Sequence, residues 1–100
     1  MDRATALTVI KEHQEELKAL GVSSLSLFGS TARGDARERS DVDVAVRLEP
    51  VEGGLAYFGR LDAVERLLRK ILGVSVDVVA EPAPRPHIQR EIDRDRCLAF

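Results

Sequence analysis

The sequence predicts an α+β fold, a small mixed β-sheet flanked by helices, with elements in the order α-β-α-β-α-β-α. Three observations lead there. Residues 2–20 and 55–72 carry apolar side chains at helical spacing. Residues 22–28, 40–46 and 74–80 show the period-two pattern of strands. Gly or Pro residues punctuate most of the junctions. One hundred residues suffice for a modest core but not for two, so residues 1–100 are expected to form a single domain.

Asp2 can cap a first helix running to about Leu20. Leu7, Ile10, Leu17 and Leu20 form its stripe, with Ala4 and Gln14 filling it, and Gly21 stops it. His13 lies among polar residues and reads as exposed. In Ser24–Phe28 the alternation of Leu25 and Leu27 predicts a strand, and Gly29 allows a sharp turn. Ser30 is a suitable N-cap for a short helix from Thr31, and Gly34 would end it. Unpaired N–H groups at such a helix start bind anions, so a triphosphate tail fits there, with Arg33 adding a charge-assisted bond. Residues 35–39, with Arg37 and Arg39, read as a solvated charged loop.

Ser40–Val46 is the most informative strand. Val42, Val44 and Val46 share one face, and Asp41 and Asp43 share the other. Valines suit a core. Two carboxylates one pleat repeat apart, about 7 Å along the backbone, can converge on a hard cation. Oxygen ligands suit Mg²⁺ or Mn²⁺, and Mg²⁺ commonly combines one or two carboxylates with substrate phosphates.

Glu49–Gly54 reads as a turn. The helix over 55–72 has an apolar stripe of Phe58, Leu61, Val64, Leu68, Ile71 and Leu72, widened by Leu67, and ends at Gly73. Tyr57 near its start carries no assigned role. In the strand over 74–80, Val74, Val76, Val78 and Ala80 share one face, and Ser75, Asp77 and Val79 the other. An aspartate in so apolar a strand is costly if buried alone, and a metal would satisfy it. Three prolines stiffen the loop over 81–86, and Pro86 suits the first turn of a helix to about Asp95. Its mixed charges read as a self-paired face, and His87 as a surface residue. Residues 97–100 are apolar and are expected to add a short edge strand or to dock on the core.

Gly29-Ser30, ten residues, then Asp41-x-Asp43, with Ala32-Arg33-Gly34 and Ser40 between, resembles the signature of the DNA polymerase β-like nucleotidyltransferases. More narrowly it is similar to the minimal nucleotidyltransferases (MNT) paired with HEPN-domain proteins, and the likeness spans nearly the whole chain. The resemblance implies a polymerase β-like palm fold, with Gly29, Ser30 and Arg33 holding nucleotide phosphates. It implies two Mg²⁺ ions, with Mn²⁺ possible, held by Asp41, Asp43 and Asp77 as the catalytic carboxylates. It implies ATP as donor, and AMP transfer to a tyrosine of a HEPN toxin, which this chain would silence as antitoxin.

Two other readings stand beside that one: a non-catalytic antitoxin acting by binding alone, and a transferase acting on a small molecule. The chain is too short for an evident acceptor pocket beyond the catalytic core, so the acceptor or its pocket is expected on another chain. A net charge of −2 disfavours a nucleic-acid partner. No apolar run is long enough to span a membrane, and a single cysteine excludes an intrachain disulfide. A cytoplasmic protein is the default expectation, and a homo-oligomer is left open.

Overall fold

The structure, a computed structural model, describes residues 1–36, 41–50 and 54–100. Arg37, Arg39, Ser40 and residues 51–53 of the expected turn lie outside the described residues. The first helical segment is divided into α1 (Arg3–Glu12) and α2 (Gln14–Ala19). There follow β1 (Val22–Phe28), α3 (Gly29–Arg33), β2 (Val42–Leu48), α4 (Gly54–Leu72), β3 (Val76–Ala80), α5 (Pro86–Asp95) and β4 (Cys97–Leu98).

The break after α1 corrects the single helix expected over 2–20. The His13 ring bonds the Val9 carbonyl (2.9 Å from Nδ1) and its own backbone leaves the helical region. The ring is therefore half-buried rather than exposed. The apolar stripe survives the break, because Ile10 and Leu17 are both fully buried. Asp2 caps α1 as expected, accepting from the Thr5 amide at 2.7 Å.

The sheet order is β3-β2-β1-β4. β1 pairs antiparallel with β2 and with β4, and β2 pairs parallel with β3. The α4 segment makes the crossover that a parallel pair needs. One sheet face packs on the larger core. Leu25, Leu27, Val42, Val44, Val46 and Val76 meet Ala6, Ile10 and Leu17 from the N-terminal helices and Val64, Leu68 and Leu72 from α4. The opposite face holds a smaller cluster in which Phe28, Ala45 and Ile92 are buried. Phe58, expected in the α4 stripe, is 66% exposed instead, in the first turns of that helix.

A charged network ties α5 to this second face. Arg96 donates both terminal nitrogens to Glu81 (2.8 and 2.6 Å) and one of them to the Ser26 hydroxyl (3.1 Å). Gln89 donates to the same Glu81 carboxylate at 2.9 Å. The Glu81 side chain is only 2% exposed and that of Arg96 27%. Arg96→Ala is expected to cost about 1–3 kcal/mol, because it takes two hydrogen bonds from a buried carboxylate and leaves it only Gln89 and a longer contact with Arg47 (3.7 Å). Hydrogen bonds from Arg96 hold the Glu81 carboxyl below its ordinary range. This stabilisation is present above about pH 4.5 and is lost as pH falls through the lower folded value. Urea titrations at pH 7 and pH 3 check both points: the gap between the two proteins should narrow at pH 3.

Candidate active site

Local sequence positions the first part of the site. Phe28 is extended and α3 opens directly at Gly29, so Phe28, not Ser30, occupies the N-cap position. Ser30 instead lies in the first turn, among amides without helical acceptors. Gly29 has φ +72°. A Cβ there would collide with the Asp43 carboxylate, lying 3.2 Å from its Cγ and closer still to Oδ2. Glycine is thus required twice, by the backbone angle and by the approach of Asp43. Gly34 closes the helix in the left-handed conformation, as expected.

The strand register supplies the second part. Phe28 stands opposite Asp43 on β1 and β2, and Asp43 stands beside Asp77 on the parallel pair β2 and β3. The alternation that buries Val42, Val44 and Val46 turns Asp43 to the other face. Asp41 sits just before β2 and is exposed. Asp77 is exposed too, so the cost of burying it alone does not arise: β3 is an edge strand, and its aspartate faces solvent rather than a closed core.

Burial pushes the Asp43 carboxyl up to about 6, and the charges of Asp77, Asp41 and Glu91 push it the same way, against Arg33. The site therefore concentrates negative charge around one half-buried carboxylate. Among the described residues no group of three or more His, Cys, Asp or Glu side chains is placed to hold a metal ion by itself. An open arrangement of oxygen donors suits Mg²⁺, which keeps positions for phosphate and water. Asp43 and Asp77, register partners on β2 and β3, are the oxygen donors present for such a cation.

Arg33 is drawn to carboxylates. It bonds Asp95 at 2.8 Å and Asp35 at 3.2 Å, and Asp95, only 5% exposed, also holds Arg94. Two features escaped the sequence. Glu91 belongs to this site, brought by α5. Its place between Ile88 and Ile92, on the stripe that packs against the sheet, is the signal that could have found it. The second is a cavity of about 650 Å³ bordered by Asp43, Asp77 and Glu91 and walled by Tyr57, Phe58, Leu61 and Ile88. It lies at the carboxylates themselves, within the expected catalytic core.

The chain is similar to known proteins over most of its length. Residues 10–97 match the family model described as the nucleotidyltransferase domain. The protein adenylyltransferase MntA of Thermococcus cleftensis is 32% identical over 89 residues, covering 88% of this chain and 86% of the relative. A solved structure described as a candidate minimal nucleotidyltransferase superposes with a TM-score of 0.72 at 31% identity, over 97% of this chain and 95% of that one. A complex described as a tri-AMPylated HEPN toxin of Shewanella oneidensis with its MNT antitoxin shares the fold. Its TM-score is 0.61 at 15% identity, over 94% of this chain and 71% of that one. The signature, the mixed sheet that presents it and the family match agree: this chain belongs to the nucleotidyltransferase domain family.

Proposed function

We propose that this chain transfers AMP from ATP to a hydroxyl of a HEPN-domain toxin, a tyrosine by family resemblance, and so acts as its antitoxin. The observation that carries the catalytic half is that Gly29, at the start of α3, lies against Asp43 of β2, whose register partner on β3 is Asp77. The antitoxin half is supported by the names of the relatives, a protein adenylyltransferase and an MNT antitoxin bound to an AMP-carrying toxin.

In this reading Ser30 and the first amides of α3 bind the β- and γ-phosphates. Gly29 leaves the space that lets Asp43 sit against that turn. Arg33 stays ion-paired with Asp95 and lends positive potential beside Asp43. Asp41, Asp43 and Asp77 would hold Mg²⁺ or Mn²⁺, two ions as the resemblance implies, which offset the triphosphate charge and favour ionisation of the acceptor hydroxyl. The hydroxyl oxygen attacks the α-phosphorus in line, and pyrophosphate leaves.

Labelling tests this reading. A HEPN-domain toxin is incubated with the protein, Mg²⁺ and ATP carrying radiophosphorus at either the α or the γ position. Label should pass to the toxin from α-labelled ATP only. Transfer from the γ position would mean a kinase, and transfer from neither would remove the catalytic reading.

A further inference from the structure

We propose that Asp95 is a positioning residue for the nucleotide: acting through Arg33, it holds the Gly29-Ser30 turn in place against Asp43. This rests on the nucleotide site proposed above and adds to it a residue from the far end of the chain. Asp95 is the last residue of α5. An acid there opposes the helix dipole, which favours cations at a C-terminal end. Its side chain is nevertheless only 5% exposed. A local rule broken in this way marks a residue held for its tertiary contacts, and here the contact is with α3. Arg33 Nη1 donates to Asp95 at 2.8 Å across 62 residues of sequence. Arg94 donates to both oxygens of the same carboxylate at 3.0 Å.

One end of this tether is fixed. The residue after Asp95, Arg96, is bonded to Glu81 and to Ser26 of β1, and Cys97 then pairs with Leu27 of β1. The Asp95 backbone is thereby anchored to the sheet. The other end, α3, needs holding. Five residues are too few to keep a helix together in water unaided, so its place depends on what other elements supply. Arg3 of α1 donates to the Ala32 carbonyl at 3.0 Å, and Asp95 takes the neighbouring Arg33. Arg33 lies three residues after Ser30, on the same side of the helix. A tether at Arg33 therefore sets the rotation of the turn that carries Ser30 and of Gly29, which already lies against Asp43. The guanidinium is occupied as well, with Nη1 on Asp95 and Nε on Asp35 (3.2 Å). Arg33 thus acts on the nucleotide through the position of α3 and not as a phosphate ligand.

Calorimetric titration of the whole chain with a non-hydrolysable ATP analogue and Mg²⁺ tests this with no transfer step involved. Asp95→Asn and Arg33→Gln should each weaken analogue binding by about tenfold, the scale of one charged hydrogen bond. The double variant should bind no more weakly than either single one, because both act through one contact. Arg94→Gln removes the other partner of Asp95 and leaves α3 tied, so it should bind as the wild type does. A merely structural Asp95 would lower the melting temperature and leave the affinity of the folded protein unchanged, which would overturn the proposal. So would a phosphate-binding Arg33: Asp95→Asn would then free the guanidinium and strengthen binding, while Arg33→Gln alone weakened it. Where a variant fails to fold, the wild type decides. Its Arg33 guanidinium NMR signals should stay in place when the analogue binds, and a large shift would mean that Arg33 leaves Asp95 for the phosphates. Analogue binding with this coupling, but no AMP transfer to a HEPN-domain toxin, would leave Asp95 in its role and sink the transfer alone. No analogue binding by the wild type would overturn both.

Discussion

Asp43→Asn is expected to lower AMP transfer by about 10³-fold or more and to raise the melting temperature of the metal-free protein by about 4–8 °C. The two effects have one cause. The Asp43 carboxyl titrates near 6 in the fold against an ordinary value of 3.8, because burial and the neighbouring Asp77, Asp41 and Glu91 disfavour its charge. A carboxyl raised by folding contributes stability in its protonated form. That contribution is full below about pH 3.8 and is lost as pH rises through about 6. At pH 7 without metal, the ionised Asp43 therefore destabilises the fold, and asparagine removes that cost while keeping the shape. Partial exposure of the group keeps the gain near 1 kcal/mol, which for a chain of this size corresponds to the stated shift. Mg²⁺ should raise the wild-type melting temperature at pH 7 and leave that of Asp43→Asn nearly unmoved. Thermal denaturation at pH 5 and pH 7, with and without Mg²⁺, checks the account: the advantage of asparagine should shrink at pH 5.

Gly29→Ala should reduce transfer by about 10²-fold, because displacement of a reacting group by about 1 Å has that effect. The added methyl would meet the Asp43 carboxylate, and alanine would have to hold φ +72°. The backbone strain alone is worth about 1–3 kcal/mol. Gly34→Ala is the control. Its φ is +82°, but its Cβ would meet nothing within 4 Å. Both variants should lose stability, whereas only Gly29→Ala should lose turnover beyond that loss, as single-turnover rates at matched folded fractions would report.

The parts of this molecule that are local in sequence were legible in it. Alternation of Val42, Val44 and Val46 with Asp41 and Asp43 determines which face each takes, whatever the neighbouring strands do. Gly29 and Ser30 sit at a strand end that Leu25 and Leu27 already announce. What depends on packing between distant segments was not legible. Asp77 read as costly to bury because sequence does not reveal that β3 is the sheet edge. Phe58 fits the helical stripe by spacing, yet it falls in the first turns of α4, where it stays exposed at the cavity rim. Glu91 reached the site only because α5 folds back over the sheet, anchored by Arg96 and Glu81. The break at His13 turned on one ring finding the Val9 carbonyl in place of water. The short α3 began two residues early because extended Phe28 runs straight into the Gly29 turn, leaving Ser30 inside the helix rather than at its cap.

The central claim is that the carboxylates on this sheet face move AMP onto a partner protein. Intact mass of a HEPN-domain toxin, after incubation with this chain, ATP and Mg²⁺, tests it most directly. The account predicts a gain of one or more AMP units with the wild type and none with the Asp41→Asn/Asp43→Asn variant. An unchanged mass alongside a stable complex of the two proteins would contradict it, and would identify the chain as an antitoxin that acts by binding alone.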